Sequence, residues 1–248
     1  VVEQHAKTVL DSITALYIKI THYSNQGNFI KALTLSLSTS KKLDVKSGYF
    51  LSFIRFLMLS FLIKRKINKS SLDALTNKQK STDPLLIAQQ KIGRRVADSA
   101  YITDNLLTLI DCILYHSWHS LREGYTDDSP GFLAGLGPIF WKFSDYAILK
   151  RLADLSLQLS KRPEFYQSKA RVLMVRGIFL LPWNTPISKS IPSLSEAYQH
   201  AISIGDHTDA SYLVILKIQA HFLCGEALSH VKKQLQKDKK QIASFEKF

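Results

Sequence analysis

IPSLSEAYQHAISIGDHTDASYLVI, residues 191–215, reads as two helices joined without a linker. Pro192 suits a first helical turn, where the N–H it lacks would have no intrahelical acceptor. Ser193 with Glu196 has the S-x-x-E spacing of a capping box, so the start lies at Pro192 or at Ser193. Ala197, Ala201 and Ile204 line one side at helical spacing. Gly205 can then adopt a left-handed conformation that ends the helix without a Cβ penalty. Asp206 can accept from the free N–H groups of the next helix, and Ala210 is small where the two helices approach. The unit predicted is an αα-hairpin whose joint residues answer backbone needs, not chemical ones.

The same joint recurs upstream. Residues 6–24 carry a stripe of Leu10, Ile13, Tyr17, Ile20 and Tyr23. Gly27 then supplies a stop and Asn28 a cap, and Phe29, Leu33, Leu37 and Ser40 resume the helical period, with Ala32 in the place of Ala210. Ser144-Asp145-Tyr146 precedes a third pattern, Leu149, Leu152, Leu155 and Leu159, which ends near Arg162-Pro163. Asp83-Pro84 opens a helix through Val96 and Ala100, and another starts at Asp104 and runs to about 121. Residues 48–66 are the most apolar. They contain Arg55 and span too few apolar positions for a bilayer, so a buried helix is expected, with an interfacial membrane helix as the other reading. Residues 67–83 are polar, a loop or short helix and a possible subdivision of the chain. Residues 124–138 hold enough apolar residues for a short helix despite their Gly and Pro, and another helix crosses 138–143. Helices are also expected at 164–180, 192–204, 206–223 and 225–240, with a proline-rich connector around Trp183. No stretch alternates as a strand would. The fold class expected is all-α: a single helical-repeat domain over 1–248, in which short connections make successive helices antiparallel neighbours that stack as a superhelix.

Composition is consistent with this. The chain has 248 residues, 46% of them hydrophobic, enough to bury a sizeable core. Cys112 and Cys224 sit in apolar helical patterns, which points to buried thiols in a reducing, cytoplasmic setting. No leader peptide is visible, and the chain begins at Val1, so we expect a piece of a longer polypeptide. The net charge of +13 is unevenly spread. Lys and Arg crowd between Lys31 and Lys80 and again from Lys232 to Lys240, whereas 98–154 leans acidic. Lys64-Arg65-Lys66 has the look of a phosphate patch or localisation signal, and equally of a solvated helix end whose cations suit the C-terminal dipole.

The joints resemble the G-D-Y-x-x-A joint of tetratricopeptide repeats, although Gly27, Ser144 and Gly205 are not spaced at the usual 34-residue period. The order of Asp83-Pro84, Ser144-Asp145-Tyr146, Trp183, the Leu194–Tyr212 stretch and Gly225-Glu226-x-Leu228 is similar to the helical region of large multi-domain signalling proteins. In that family a serine/threonine-kinase-like domain and an AAA-type ATPase precede the region, and a GAF domain with a histidine kinase often follows. The resemblance is strongest at Gly205, Asp206, Ala210, Ser211 and Tyr212. Gly124-Tyr125 followed by Asp127-Asp128-Ser129-Pro130 departs from the family's Tyr-Gly and Ser-Pro order. The resemblance implies a regulatory region whose catalytic residues lie in other domains.

The chemistry-bearing residues agree. No G-x-x-x-x-G-K-[ST] loop is present, and the G-x-G at 135–137 lacks a third glycine and a preceding strand. His116 and His119 lie one helical turn apart, but no further ligand follows at metal-site spacing, so packing histidines are favoured. Asp127-Asp128 reads as a solvated loop, and neither cysteine has an activating base nearby. Trp118, Trp141, Trp183, Tyr198 and Tyr212 stand apart from the basic clusters and read as core, where single-strand stacking needs aromatics and cations interleaved. No catalytic, cofactor or metal residues are assigned. Gly27, Asn28, Asp145, Tyr146, Gly205, Asp206 and Ala210 are assigned as structural joints. The function expected is a non-catalytic interaction and regulatory scaffold whose partners are other domains of its parent or a protein or peptide ligand, with possible self-association. The alternative is a basic helical repeat that binds nucleic acid.

Overall fold

The computed structural model describes residues 8–45, 53–141, 146–183 and 185–245, and these fold as helices with no strand among them. A single bridge pairs Lys80 with Tyr125. The helices are α1 Val9–Asn25, α2 Phe29–Lys42, α3 Phe53–Lys69, α4 Leu72–Thr76, α5 Pro84–Ile102, α6 Leu106–Glu123, α7 Ser129–Trp141, α8 Tyr146–Ser160, α9 Lys169–Val175, α10 Ser190–Ser203, α11 His207–Leu223 and α12 Leu228–Phe245. None of the described helices is long and apolar enough to cross a membrane.

The joints form as their residues demand. Gly27 and Gly205 have φ of +73° and +72°. Past each, the chain closes with a backbone bond from five residues on: Asn28 N–H to Tyr23 O and Asp206 N–H to Ala201 O, both 2.9 Å. Asn28 Oδ1 accepts from Lys31 N–H at 3.3 Å, and Asp206 Oδ1 from Asp209 N–H at 3.0 Å. Ala32 and Ala210 are buried where the hairpin arms touch. Asp145 lies outside the described residues, and Tyr146 begins α8 with its ring exposed.

Local details differ from the expectation. Residues 129–141 form one helix that runs through Pro138, in place of a short helix and a second one across 138–143. The Ser193–Glu196 capping box does not form. α10 begins earlier, at Ser190, so Ser193 Oγ turns to Leu173 O (3.4 Å) and Glu196 pairs with Lys169 (2.8 Å). α6 does not start at Asp104, which takes the left-handed position (φ +55°); Asn105 caps a helix that begins at Leu106. Residues 164–180 are not one uniform helix: a 3₁₀ turn at Pro163–Ser168 precedes α9, and a π turn at Arg176–Leu180 follows it.

Packing is partly sequential. α1 packs on α2, α5 on α6, α6 on α7, α7 on α8, and α9 through α12 follow one another. The order breaks in the first half, where α2 lies against α5 while α3 lies against α6 and α8. The central core holds Ile63, Leu114, Leu133, Phe140, Leu152 and Leu155. Leu173, Leu194, Tyr198 and Leu213 fill the space between α9, α10 and α11. Ile13, Ile20, Ala32 and Ile92 seal α1 and α2 onto α5. The expected burial of α3 holds for one side only: Phe56, Leu59, Ile63 and Ile67 face inward, while Phe53, Ile54, Leu57, Met58 and Phe61 are 48–78% exposed.

Candidate functional site

A cleft of about 940 Å³ opens between α5, α6, α7, α9 and α11. Its walls are mainly apolar, with Leu109, Ile110 and Ile113 from α6, Phe132 and Ile139 from α7, and Met174 and Val175 from α9. Leu106 and Ile215 stand on its lining and are more than half exposed, so the cleft meets solvent there. The π turn contributes Phe179. Such single-turn departures from α geometry re-aim side chains and often accompany binding sites.

One end of the cleft is charged. Arg94 and Asp98 from α5, Asp128 ahead of α7 and Arg171 from α9 line it. Behind them stand Arg95, Asp206 and Asp209. Arg171 grips Asp209 with two nitrogens, Nη2 to Oδ1 at 2.6 Å and Nε to Oδ2 at 3.2 Å, and reaches Asp98 Oδ1 with Nη1 at 2.6 Å. Arg94 Nη2 donates to Asp206 Oδ2 (2.5 Å) and Asp209 Oδ2 (3.2 Å), and Nη1 lies 3.7 Å from Asp128. Bidentate pairing of this kind fixes geometry as well as charge. The cluster thus ties the α10–α11 joint to α5 and α9.

Burial works against the charge of Arg94, Asp98 and Asp206; pairing reverses that at all three. Burial would lower Arg94, but Asp209, Asp206, Asp128 and Asp98 outweigh it and hold the guanidinium well above its ordinary value. Burial would raise Asp98, but Arg171, Arg94 and Arg95 keep its carboxyl below the ordinary range, and Asp206 is lowered in the same way by Arg94. Asp128 goes the other way: its burial is only partly offset by Arg94, so its carboxyl is raised. Burial also pushes the nearby Tyr212 phenol up to about 12. Asp98 Oδ2 is buried with no hydrogen-bond donor, held only by longer contacts to Arg95 (3.6 Å) and Arg94 (4.0 Å). Asp98 Oδ2 is therefore held by the charge of two guanidinium groups and not by a hydrogen bond.

The other candidates are placed elsewhere. His116 is buried and stacks on Phe132 with ring centroids 4.8 Å apart, whereas His119 bonds Glu123 at 2.9 Å. They form a packing residue and a surface pair. Cys112 donates to Gly93 O at 3.2 Å, and burial raises its thiol far from reactivity. Asp127 pairs with Lys80 at 2.6 Å, while its neighbour Asp128 belongs to the cluster. Trp118 packs against the central core, Tyr198 is buried and Tyr212 lines the cleft. Asp206 was legible as a cap, but its pairing with Arg94, and the whole Arg–Asp cluster, were missed. No sequence signal spans the 112 residues between those two partners.

No protein-family model matches this chain, and no curated protein or solved structure matches it.

Proposed function

We propose that the chain is a non-catalytic interaction and regulatory module, a TPR-like stack of helical hairpins within a larger signalling protein. Its cleft receives an apolar helical segment of a partner protein or neighbouring domain that carries one Lys or Arg. The observation that carries this reading is the composition of the cleft: apolar walls from five helices, ending on a cluster in which four aspartates face three arginines. Apolar side chains supply the driving force, and the surplus carboxylate favours a cation at the polar end. Asp98 and Asp128, the two aspartates on the cleft lining, attract that cation. Occupancy would lock α9 and α11 against α5, and this change in packing is what a sensor region needs in order to couple an upstream ATPase to a downstream output domain. The arrangement favours binding over turnover, since its arginines and aspartates are committed to one another.

The test is selection of helical peptides from a random displayed library on the immobilised chain. Winners should carry apolar residues at i and i+4 together with a basic residue. Ile215→Asp and Leu106→Asp, both at exposed positions, should leave the melting temperature unchanged and weaken binding at least tenfold. Equal binding by these variants would overturn the reading, as would ATP hydrolysis or phosphotransfer by the chain alone. Salt-dependent binding of RNA or DNA without peptide binding would favour the nucleic-acid alternative instead.

A further inference from the structure

Away from the cleft, the α11–α12 joint gathers three metal-ligating side chains. His221 lies in the last turn of α11. The chain then turns at Gly225, whose φ is +76°, which brings Glu226 back beneath it. His230, one helical turn beyond Glu226, stands at the start of α12. Glu226 bridges the two rings, with Oε1 at 2.6 Å from His221 Nδ1 and Oε2 at 3.4 Å from His230 Nε2. One ligand atom from each residue falls within 4.8 Å of the others, and among the described residues no other group of three converges so closely.

We propose that His221, Glu226 and His230 form a binding site for a divalent transition metal of the zinc class. Two imidazole nitrogens and a carboxylate suit zinc, whereas calcium and magnesium take oxygen ligands throughout. Tetrahedral bonds of about 2.0–2.1 Å place ligand atoms about 3.4 Å apart. Closing the remaining gap needs only side-chain rotation, and the side chains have room: His230 is 61% exposed and Glu226 31%, while His221 is the more anchored partner. Three protein ligands leave a fourth position for water or for a partner's side chain. The nearby Lys232 and Lys233 are exposed, so solvent screens their repulsion. The metal would replace a hydrogen-bonded bridge by coordinate bonds and clip the first turn of α12 to the last turn of α11. The pose of α12 would thereby respond to metal supply.

Titration of the metal-stripped chain with ZnCl₂, followed by calorimetry, should show one site per chain, and CoCl₂ should give the visible absorption of tetrahedral cobalt. MgCl₂ should give neither. His230→Ala should weaken zinc binding at least tenfold, and its exposed position should leave the EDTA melting temperature unchanged. His221→Ala should do the same to zinc binding. His119→Ala, which breaks the His119–Glu123 pair on α6, should bind as the parent does. The site is refuted if His230→Ala and His221→Ala bind zinc as tightly as the parent, or if the one-site signal vanishes only in His119→Ala. Peptide binding by the cleft, measured in EDTA, is independent of either outcome.

Discussion

Gly205 and Gly93 show two different reasons for a glycine. At Gly205 the backbone is left-handed, yet a Cβ there would meet nothing within 4 Å. Gly205→Ala should therefore cost only the conformational penalty, about 1–2 kcal/mol, which lowers the melting temperature by a few degrees in a chain of this size. At Gly93, inside α5, a Cβ would sit 2.1 Å from His116 Nε2. Gly93→Ala must displace a buried ring and should destabilise more than Gly205→Ala in the same thermal scan; the reverse order would contradict the packing described. His116 carries a second prediction. Burial holds its pKa down to about 3, with His119 adding to the effect, and neither ring nitrogen has a hydrogen-bond partner. The unfolded chain takes up a proton near pH 6.5 and the folded chain resists until about pH 3. Stability should therefore fall as pH drops through that window, by up to about 1.4 kcal/mol per pH unit. His116→Phe should flatten urea-unfolding stability between pH 6.5 and 4.5. The lowered carboxyls of Asp98 and Asp206 act only below the ordinary carboxylate range, so the two effects separate.

At the scale of elements, one closure serves most of the joints. Backbone bonds from five residues on end five helices: Asn28 to Tyr23, Val45 to Ser40, Asn105 to Ala100, Asp206 to Ala201 and Glu226 to His221. The left-handed residue is glycine in three of them and aspartate, Asp44 or Asp104, in two. Aspartate tolerates this region better than most residues. The docking of α12 depends on a different device. Lys217 of α11 pairs with Asp238 of α12 at 3.1 Å, and both side chains are more than nine-tenths buried. Lys217→Met leaves Asp238 buried without its cation and should cost about 3–5 kcal/mol. Lys217→Met with Asp238→Leu should cost clearly less than Lys217→Met alone. Urea midpoints of the three proteins decide it, and additive losses would mean the pair is not coupled.

Across the whole molecule, the outward face of α3 is the largest departure from a simple buried-helix reading. Phe53, Ile54, Leu57, Met58 and Phe61 share one exposed side. Ile54→Lys with Phe61→Lys should change stability by no more than about 0.5 kcal/mol per site and reduce binding of a hydrophobic dye. A large fall in melting temperature would show that this side is buried. The helix content, the Gly27-Asn28 and Gly205-Asp206 joints and the buried alanines four residues past each cap were legible in the sequence. Each depends on conditions met within five or six residues: a positive φ, a free N–H to cap, a close approach. Periodicity also marks which stripe of a helix is apolar, but not which helix it meets, and in α3 apolar residues occupy both sides, so the pattern could not say which side would be covered. Tertiary structure alone decided that α2 lies against α5, that Arg94 and Arg171 meet Asp206 and Asp209, and that five helices leave a cleft between them. Those outcomes depend on the angles and distances at which distant helices pack, and local pattern carries no record of them.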